Sequence, residues 1–257
     1  MEKDNKDTWF GNLAVDYQEK TSLVHDLFKR VAGHYDLMNN LMSLGIHHVW
    51  KRQLVKLINP KPNEIMADVA GGTGDISFRL LSYCGGEKNL QEFGGQILVC
   101  DLTLEMLQQG RHRSFNKGIV QGIEWIESNA EHLPFKNNSL DIYMIVFGLR
   151  NVGNITQALK EAHRILKPGG RFFCLEFSKI IYPEFAPLYQ FYSDYIIPKL
   201  GSLIAQDKPA YQYLTDSIKH FPDQQTLAHL IQENKFSQIR IRNFSAGIAA
   251  LHTAWKV

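Results

Sequence analysis

From Glu64 onward, short apolar runs alternate with helical stretches. "EIMADVA", "QILVCD", "IEWIES", "LDIYMIVF" and "GRFFCLEF" are separated by segments whose helices begin near Asp75, Thr103 and Ile155. Apolar runs of this kind suit strands covered on both faces, and strands joined through helices lie parallel. The alternation therefore predicts an α/β fold, a mostly parallel sheet with helices on both sides. A length of 257 residues suits one large domain with an ample core.

The flanks read differently. Residues 1–60 form a helical cap, in which Leu23, Leu27 and Val31, and then Trp50, Leu54, Leu57 and Ile58, recur at helical spacing. Residues 61–178 are the α/β core. Residues 179–220 form an insertion: the span 182–213 carries six of the chain's ten tyrosines, and reads either as a lid or pocket wall or as extra helices completing the core. Residues 221–257 supply an amphipathic helix, "PDQQTLAHLIQENKF", then "QIRIRNF" and "AALHTAWKV" as an antiparallel hairpin. The hairpin brings the predicted sheet to seven strands.

Bulk composition excludes several function classes. Lys+Arg 28 against Asp+Glu 26 leaves a net charge of +2, and no basic block stands out. "RHR" at 111–113 reads as solvated helix surface, so nucleic acid is not an expected partner. Cys84, Cys100 and Cys174 make no paired motif and read as thiols in a reducing compartment, with no metal site. The polar start "MEKDNKDTW" is not a secretory leader, and no run of apolar residues is long enough to span a bilayer. A cytoplasmic protein is expected.

The chemistry gathers where strands end. "DVAGGTGDIS" follows the first core strand and opens a helix; its glycines allow a sharp turn, and helix N-terminal amides point at polar ligand groups. The sixth position of the dinucleotide fingerprint is Ser77 where Gly or Ala is expected, which argues against a dehydrogenase. Asp101 ends the second core strand, where an acid can accept both hydroxyls of a ribose. "FGLRNV" at 147–152 carries Arg150 and Asn151 past the end of the fourth. Ligands of open α/β sheets bind outside the carboxyl ends of the strands, so this pair faces a ligand, unless Arg150 braces the sheet by pairing with Glu176 or Asp101. His47, beside His48, reads as helix capping, and Tyr35 as either pocket or core.

With "SNAEHLPF" (128–135) and "ILKPGGRFF" (165–173), the set resembles class I S-adenosylmethionine-dependent methyltransferases of Rossmann-like fold. The resemblance narrows further. "HYDLMNNLMSLGIHHVWK", "ADVAGGTGD", "NAEHLPF", "FGLRNV", "LKPGGRFFCLEFS", "YSDYIIPKLGSLIAQDKPAYQYLTDSI" and "AGIAALH" are similar to blocks of the ubiquinone/menaquinone biosynthesis C-methyltransferases, in the same order along the chain. Three features depart from that pattern: His48 where the family commonly has Arg, Val146 where a small polar residue often precedes "FGLRN", and an enlarged loop at 84–96.

The resemblance implies S-adenosyl-L-methionine as cofactor. It places Gly71, Gly72, Thr73 and Gly74 at the methionine end, Asp101 and Leu102 at the ribose, Asn129 and Ala130 at the adenine, and Phe147 beside them. The implied substrate is a polyprenylated benzoquinol or demethylmenaquinol methylated on a ring carbon, with Arg150, Asn151 and Tyr35 as catalytic residues. Arg150 would stabilise a phenolate or carbonyl, because a guanidinium does not give up its proton. A lipid substrate further implies transient contact with the inner-membrane surface, and a homodimer or a quinone-synthesis complex as the assembled form.

Overall fold

The computed structural model describes residues 8–31, 40, 43–92, 94–182, 184 and 208–257. Tyr35 and most of the aromatic 182–213 span lie outside the described residues. The chain opens with a small hairpin, β1 (Thr8–Phe10) and β2 (Leu13–Val15), then α1 (Tyr17–Val31) and α2 (His47–Ile58). The core follows as β3 (Ile65–Val69), α3 (Asp75–Tyr83), α4 (Glu87–Glu92), β4 (Gln96–Asp101), α5 (Leu104–Asn116), β5 (Ile123–Glu127), β6 (Leu140–Val146), α6 (Ile155–Ile165) and β7 (Leu166–Phe177). It closes with α7 (Lys208–His220), α8 (Gln224–Glu233), β8 (Phe236–Phe244) and β9 (Ala249–Lys256).

The main sheet has seven strands in the order β5-β4-β3-β6-β7-β9-β8. Strands β3 to β7 pair in parallel, and β9 runs antiparallel to both β7 and β8. The order reverses between β3 and β6, since β4 and β5 lie on one side of β3 and β6 and β7 on the other. That is the switch point at which ligands enter open α/β sheets.

Burial explains why the strands read as unbroken apolar runs. Ile142, Met144 and Val146 of β6 pack into one core with Trp50, Leu54, Leu80 and Phe177. Tyr143 and Ile145 turn to the other, with Leu159, Phe172 and Leu227. Alternate residues thus serve opposite faces, and neither face is wet.

Three local departures from the sequence reading have physical reasons. The loop at 84–96 folds a short helix, α4, because Leu90 finds a buried site. Pro168-Gly169-Gly170 does not break the chain before its strand. It is absorbed within β7 as an irregularity, where pairing passes from Leu140↔Leu166 to Ile142↔Arg171. His47 does not cap α2: it is buried, its Nε2 meets Asn40 Oδ1 at 2.9 Å, and its backbone N–H donates to Ser43 Oγ.

Tight packing decides the sign of one substitution. Gly110 lies within α5, where Ala would ordinarily be favoured by about 1 kcal/mol. A Cβ at Gly110, however, would lie 2.2 Å from Cζ3 of Trp125. Gly110→Ala is therefore expected to destabilise by about 1–3 kcal/mol of overpacking, read as a lower midpoint in denaturant. A raised midpoint would show that the Trp125 ring yields.

Candidate functional site

Two strained turns open the crevice. Ala70, just after β3, has φ 52°, and Phe147, just after β6, has φ 57°. Left-handed backbone at a bulky residue is costly and persists only where its surroundings hold it. The two turns nearly touch: a Cβ on Gly148 would lie 2.5 Å from that of Ala70, so only glycine lets the strand ends close up. The chain then makes a single 3₁₀ turn, Leu149–Asn151.

Arg150 holds this turn from within. Its side chain is 0% exposed; Nη1 donates to Phe147 O at 2.6 Å and to Glu176 Oε1 at 2.7 Å. Glu176 Oε1 also accepts the Phe177 N–H at 2.9 Å, and Oε2 accepts the Arg150 N–H at 3.3 Å. The guanidinium stacks over the Phe177 ring. Burial pushes the Glu176 carboxyl pKa up, and the Arg150 charge beside it pulls it down. Nε and Nη2 of Arg150 find no partner among the described residues. The guanidinium is not among the groups lining the pocket. Its bonding is that of the brace to Glu176 that the sequence left open beside direct ligand contact.

Asn151 is placed differently. It lines the pocket, and its Oδ1 accepts the Tyr213 hydroxyl at 3.0 Å. The amide NH₂ has only a long 3.5 Å contact to Phe147 O, which leaves it available as a donor to a ligand oxygen.

A pocket opens above these turns, at the carboxyl ends of the parallel strands where ligands of open α/β sheets bind. Gly72, Asp101, Leu102, Asn129, Ala130 and Phe147 line it, all expected from sequence. Asp101 is fixed on both oxygens: Oδ2 accepts the Gly72 N–H at 2.8 Å and Oδ1 the Thr103 N–H at 2.9 Å. Burial raises its pKa, opposed by those two backbone donors. A carboxylate has lone pairs beyond these two bonds, enough for a pair of vicinal hydroxyls. Asn129 Oδ1 is occupied by the Glu131 N–H, so its NH₂ faces outward as a donor. A ribose acceptor, an amide and the small Ala130 in one cavity fit a nucleoside.

Of the glycine loop, Gly72 lines the pocket, while Gly71, Thr73 and Gly74 stand around it. Each of these three shapes the loop. A Cβ on Gly71 would strike Asp68 O at 2.7 Å, and one on Gly74 would lie 2.5 Å from Trp125. The Thr73 hydroxyl is buried and accepts from Arg113 Nη1 at 2.6 Å. Beneath the loop, burial lifts the Asp68 carboxyl to about 7, and its Oδ2 accepts the Ser77 hydroxyl.

The sequence missed the opposite wall. Thr21, Val24, His25 and Phe28 of α1 line the pocket, with Met106 of α5. Their helical spacing was visible, but it was read as a cap packing on the core. Lys20 is also buried nearby, its Nζ 3.3 Å from Thr8 Oγ1, and desolvation lowers its pKa to about 8.

The brace has a test of its own. Arg150→Met leaves Glu176 buried without its cation and is expected to cost about 3–5 kcal/mol. The double variant Arg150→Met/Glu176→Gln should recover much of that loss. Urea titrations of the single and double variants measure it; equal stability of the single variant and the parent would show that the pair holds nothing.

The comparisons with known proteins agree with this geometry. The model of the ubiE/COQ5 methyltransferase family matches residues 15–256. A relative from Brucella suis biovar 1, named ubiquinone/menaquinone biosynthesis C-methyltransferase UbiE, is 46% identical over 96% of this chain and 90% of its own. A mitochondrial 2-methoxy-6-polyprenyl-1,4-benzoquinol methylase from Dictyostelium discoideum is 42% identical over 99% of this chain and 88% of its own. Among solved structures, a SAM-dependent methyltransferase from Thermotoga maritima superposes with a TM-score of 0.60 at 18% identity, over 91% of this chain and 100% of that one. That likeness speaks for the fold alone. Sheet order, a nucleoside-shaped pocket at the switch point and a match along nearly the whole sequence converge: the chain belongs to the ubiE/COQ5 methyltransferase family and is an S-adenosylmethionine-dependent C-methyltransferase.

Proposed function

We propose that the acceptor is the ring of a polyprenylated benzoquinol, of demethylmenaquinol, or of both. The observation that carries this reading is the position of Asn151: its amide NH₂, held only by a long contact to Phe147 O, shares one cavity with Asp101, and Val24 and Phe28 of α1 supply apolar surface opposite. When bound, the cofactor supplies an electrophilic methyl and its own leaving group. The protein's task is alignment, which is worth on the order of 7–11 kcal/mol.

In this reading Asp101 takes the ribose hydroxyls and Asn129 and Ala130 the adenine edge. Asn151 donates to a ring oxygen, and Tyr213 holds its amide in that orientation. Donation to the oxygen favours the phenolate, which has a reference pKa of about 10 and is what makes the ring carbon nucleophilic. The bound cofactor would supply the methyl and leave as a neutral thioether, and the proton displaced from the ring carbon would pass to solvent water. Arg150 serves as a positioning residue through the Phe147 carbonyl and the adjacent Asn151 backbone. Tyr35, outside the described residues, is proposed as a further polar group over the pocket. A lipid substrate places the protein at a bilayer surface for part of its cycle; no described helix is long and apolar enough to cross one.

The cofactor and acceptor walls separate by mutation. Asp101→Ala is expected to weaken cofactor binding at least about 100-fold, the cost of two charge-assisted hydrogen bonds at about 1.5–3 kcal/mol each. Asn151→Ala should leave that affinity near the parent value and lower kcat. Calorimetry with the cofactor, beside turnover across a panel of quinols, simple phenols and amines, measures both. Turnover of an amine with none of any quinol would overturn the proposal.

A further inference from the structure

One surface feature is unused by the site described above. A groove between α2, α3 and α5 is lined by Arg52, Lys56, Arg79, Arg113 and Lys117 against the single carboxylate of Asp75. That carboxylate is already neutralised, by Lys51 Nζ at 3.0 Å and Arg79 Nε at 3.1 Å. Lys51 and Arg79 together hold the Asp75 pKa down at about 2 against the burial that would raise it. No carboxylate among the described residues pairs with Arg52, Lys56 or Lys117, and Lys117 rests over the Phe78 ring. The groove thus concentrates more positive charge than the chain's net +2. The "RHR" segment that read as plain solvated surface contributes one wall of it.

The rim decides what such charge is for. Val49 is exposed and shares the outer face of α2 with Arg52 and Lys56, at helical spacing. Leu44, 76% exposed, and Ile46 stand just before that helix. Tyr83 stands exposed on the α3 wall, and Phe78 lines the groove beside it. Exposed aliphatic side chains gain nothing beside a phosphodiester backbone or a free anion in water. Beside a bilayer they enter the acyl boundary while the neighbouring cations meet lipid phosphates.

We propose that the α2–α3–α5 groove and its apolar rim dock the protein on anionic phospholipid headgroups. The groove starts at Asp75, the first residue of α3, and shares no lining residue with the catalytic pocket, so docking there leaves that pocket uncovered. The lipid-substrate reading supplies the reason to visit a bilayer; the groove stands on its own charge and exposure.

Co-sedimentation of the full chain with vesicles tests it. Binding is expected to phosphatidylcholine vesicles containing phosphatidylglycerol, to fall with added salt, and to vanish on pure phosphatidylcholine. Arg52→Glu/Lys56→Glu/Lys117→Glu should lower partitioning at least about 100-fold, near one factor of five per cation removed, with cofactor affinity and melting temperature unchanged. Leu44→Ser/Val49→Ser, which keeps every charge, should also weaken binding and serves if the charge variant does not fold. Parent-like vesicle binding by both variants, or an oligonucleotide that binds the parent in preference to the vesicles, would overturn the proposal. Turnover of a short-chain soluble quinol keeps the two readings apart: it fails if the substrate assignment is wrong, and survives in the groove variants whether or not they dock.

Discussion

The Arg150–Glu176 pair is the interaction on which the rest of the site depends. It lies where β6 and β7 run out, and it does three jobs with one buried charge. It neutralises Glu176, ties the carbonyl of left-handed Phe147, and fixes the 3₁₀ turn that aims Asn151 into the pocket. Without a cation there, Phe147 O and the Glu176 carboxylate would be buried acceptors facing one another, and the turn would relax. The turn beside the crevice is thus braced by a paired charge that does not itself line the pocket, whereas Asn151 does.

This division also separates affinity from chemistry. Asp101, locked on both oxygens by Gly72 and Thr103, is rigid before anything binds. Asn151 is steered by Tyr213 from α7, so the acceptor wall depends on a segment far along the chain. The N-terminal hairpin reaches the same helix: Phe10 stacks on Tyr213 and Trp9 on His220. In the proposed reading the cofactor half rests on the parallel sheet, whereas the acceptor half rests on the flanking elements packed against it.

What the sequence revealed follows from which forces are local. Strands buried on both faces must be apolar throughout, so β3, β4, β6 and β7 could be read directly, as could Asp101 at a strand end. Arg150 could be placed at the ligand edge, with pairing to Glu176 or Asp101 as the alternative, but the choice was not legible because Glu176 meets it only through the register of β6 and β7. Gly71 and Gly74 belong to the loop motif, but the close contacts that require them, with Asp68 O and Trp125, could not be read from it. The α1 wall was hidden for a related reason: helical periodicity reports that Val24 and Phe28 are covered, not whether protein or ligand covers them. Strands of three residues, as in β1 and β2, are too short to show alternation.

The central claim is that this crevice transfers a methyl group to a quinol ring carbon. Supplying cofactor with a ¹³C-labelled methyl and locating the label in the product by NMR tests it most directly. The account predicts a label bonded to ring carbon, formed by the parent and formed more slowly by Asn151→Ala. A label found on a ring oxygen, or on no quinol at all, would contradict it.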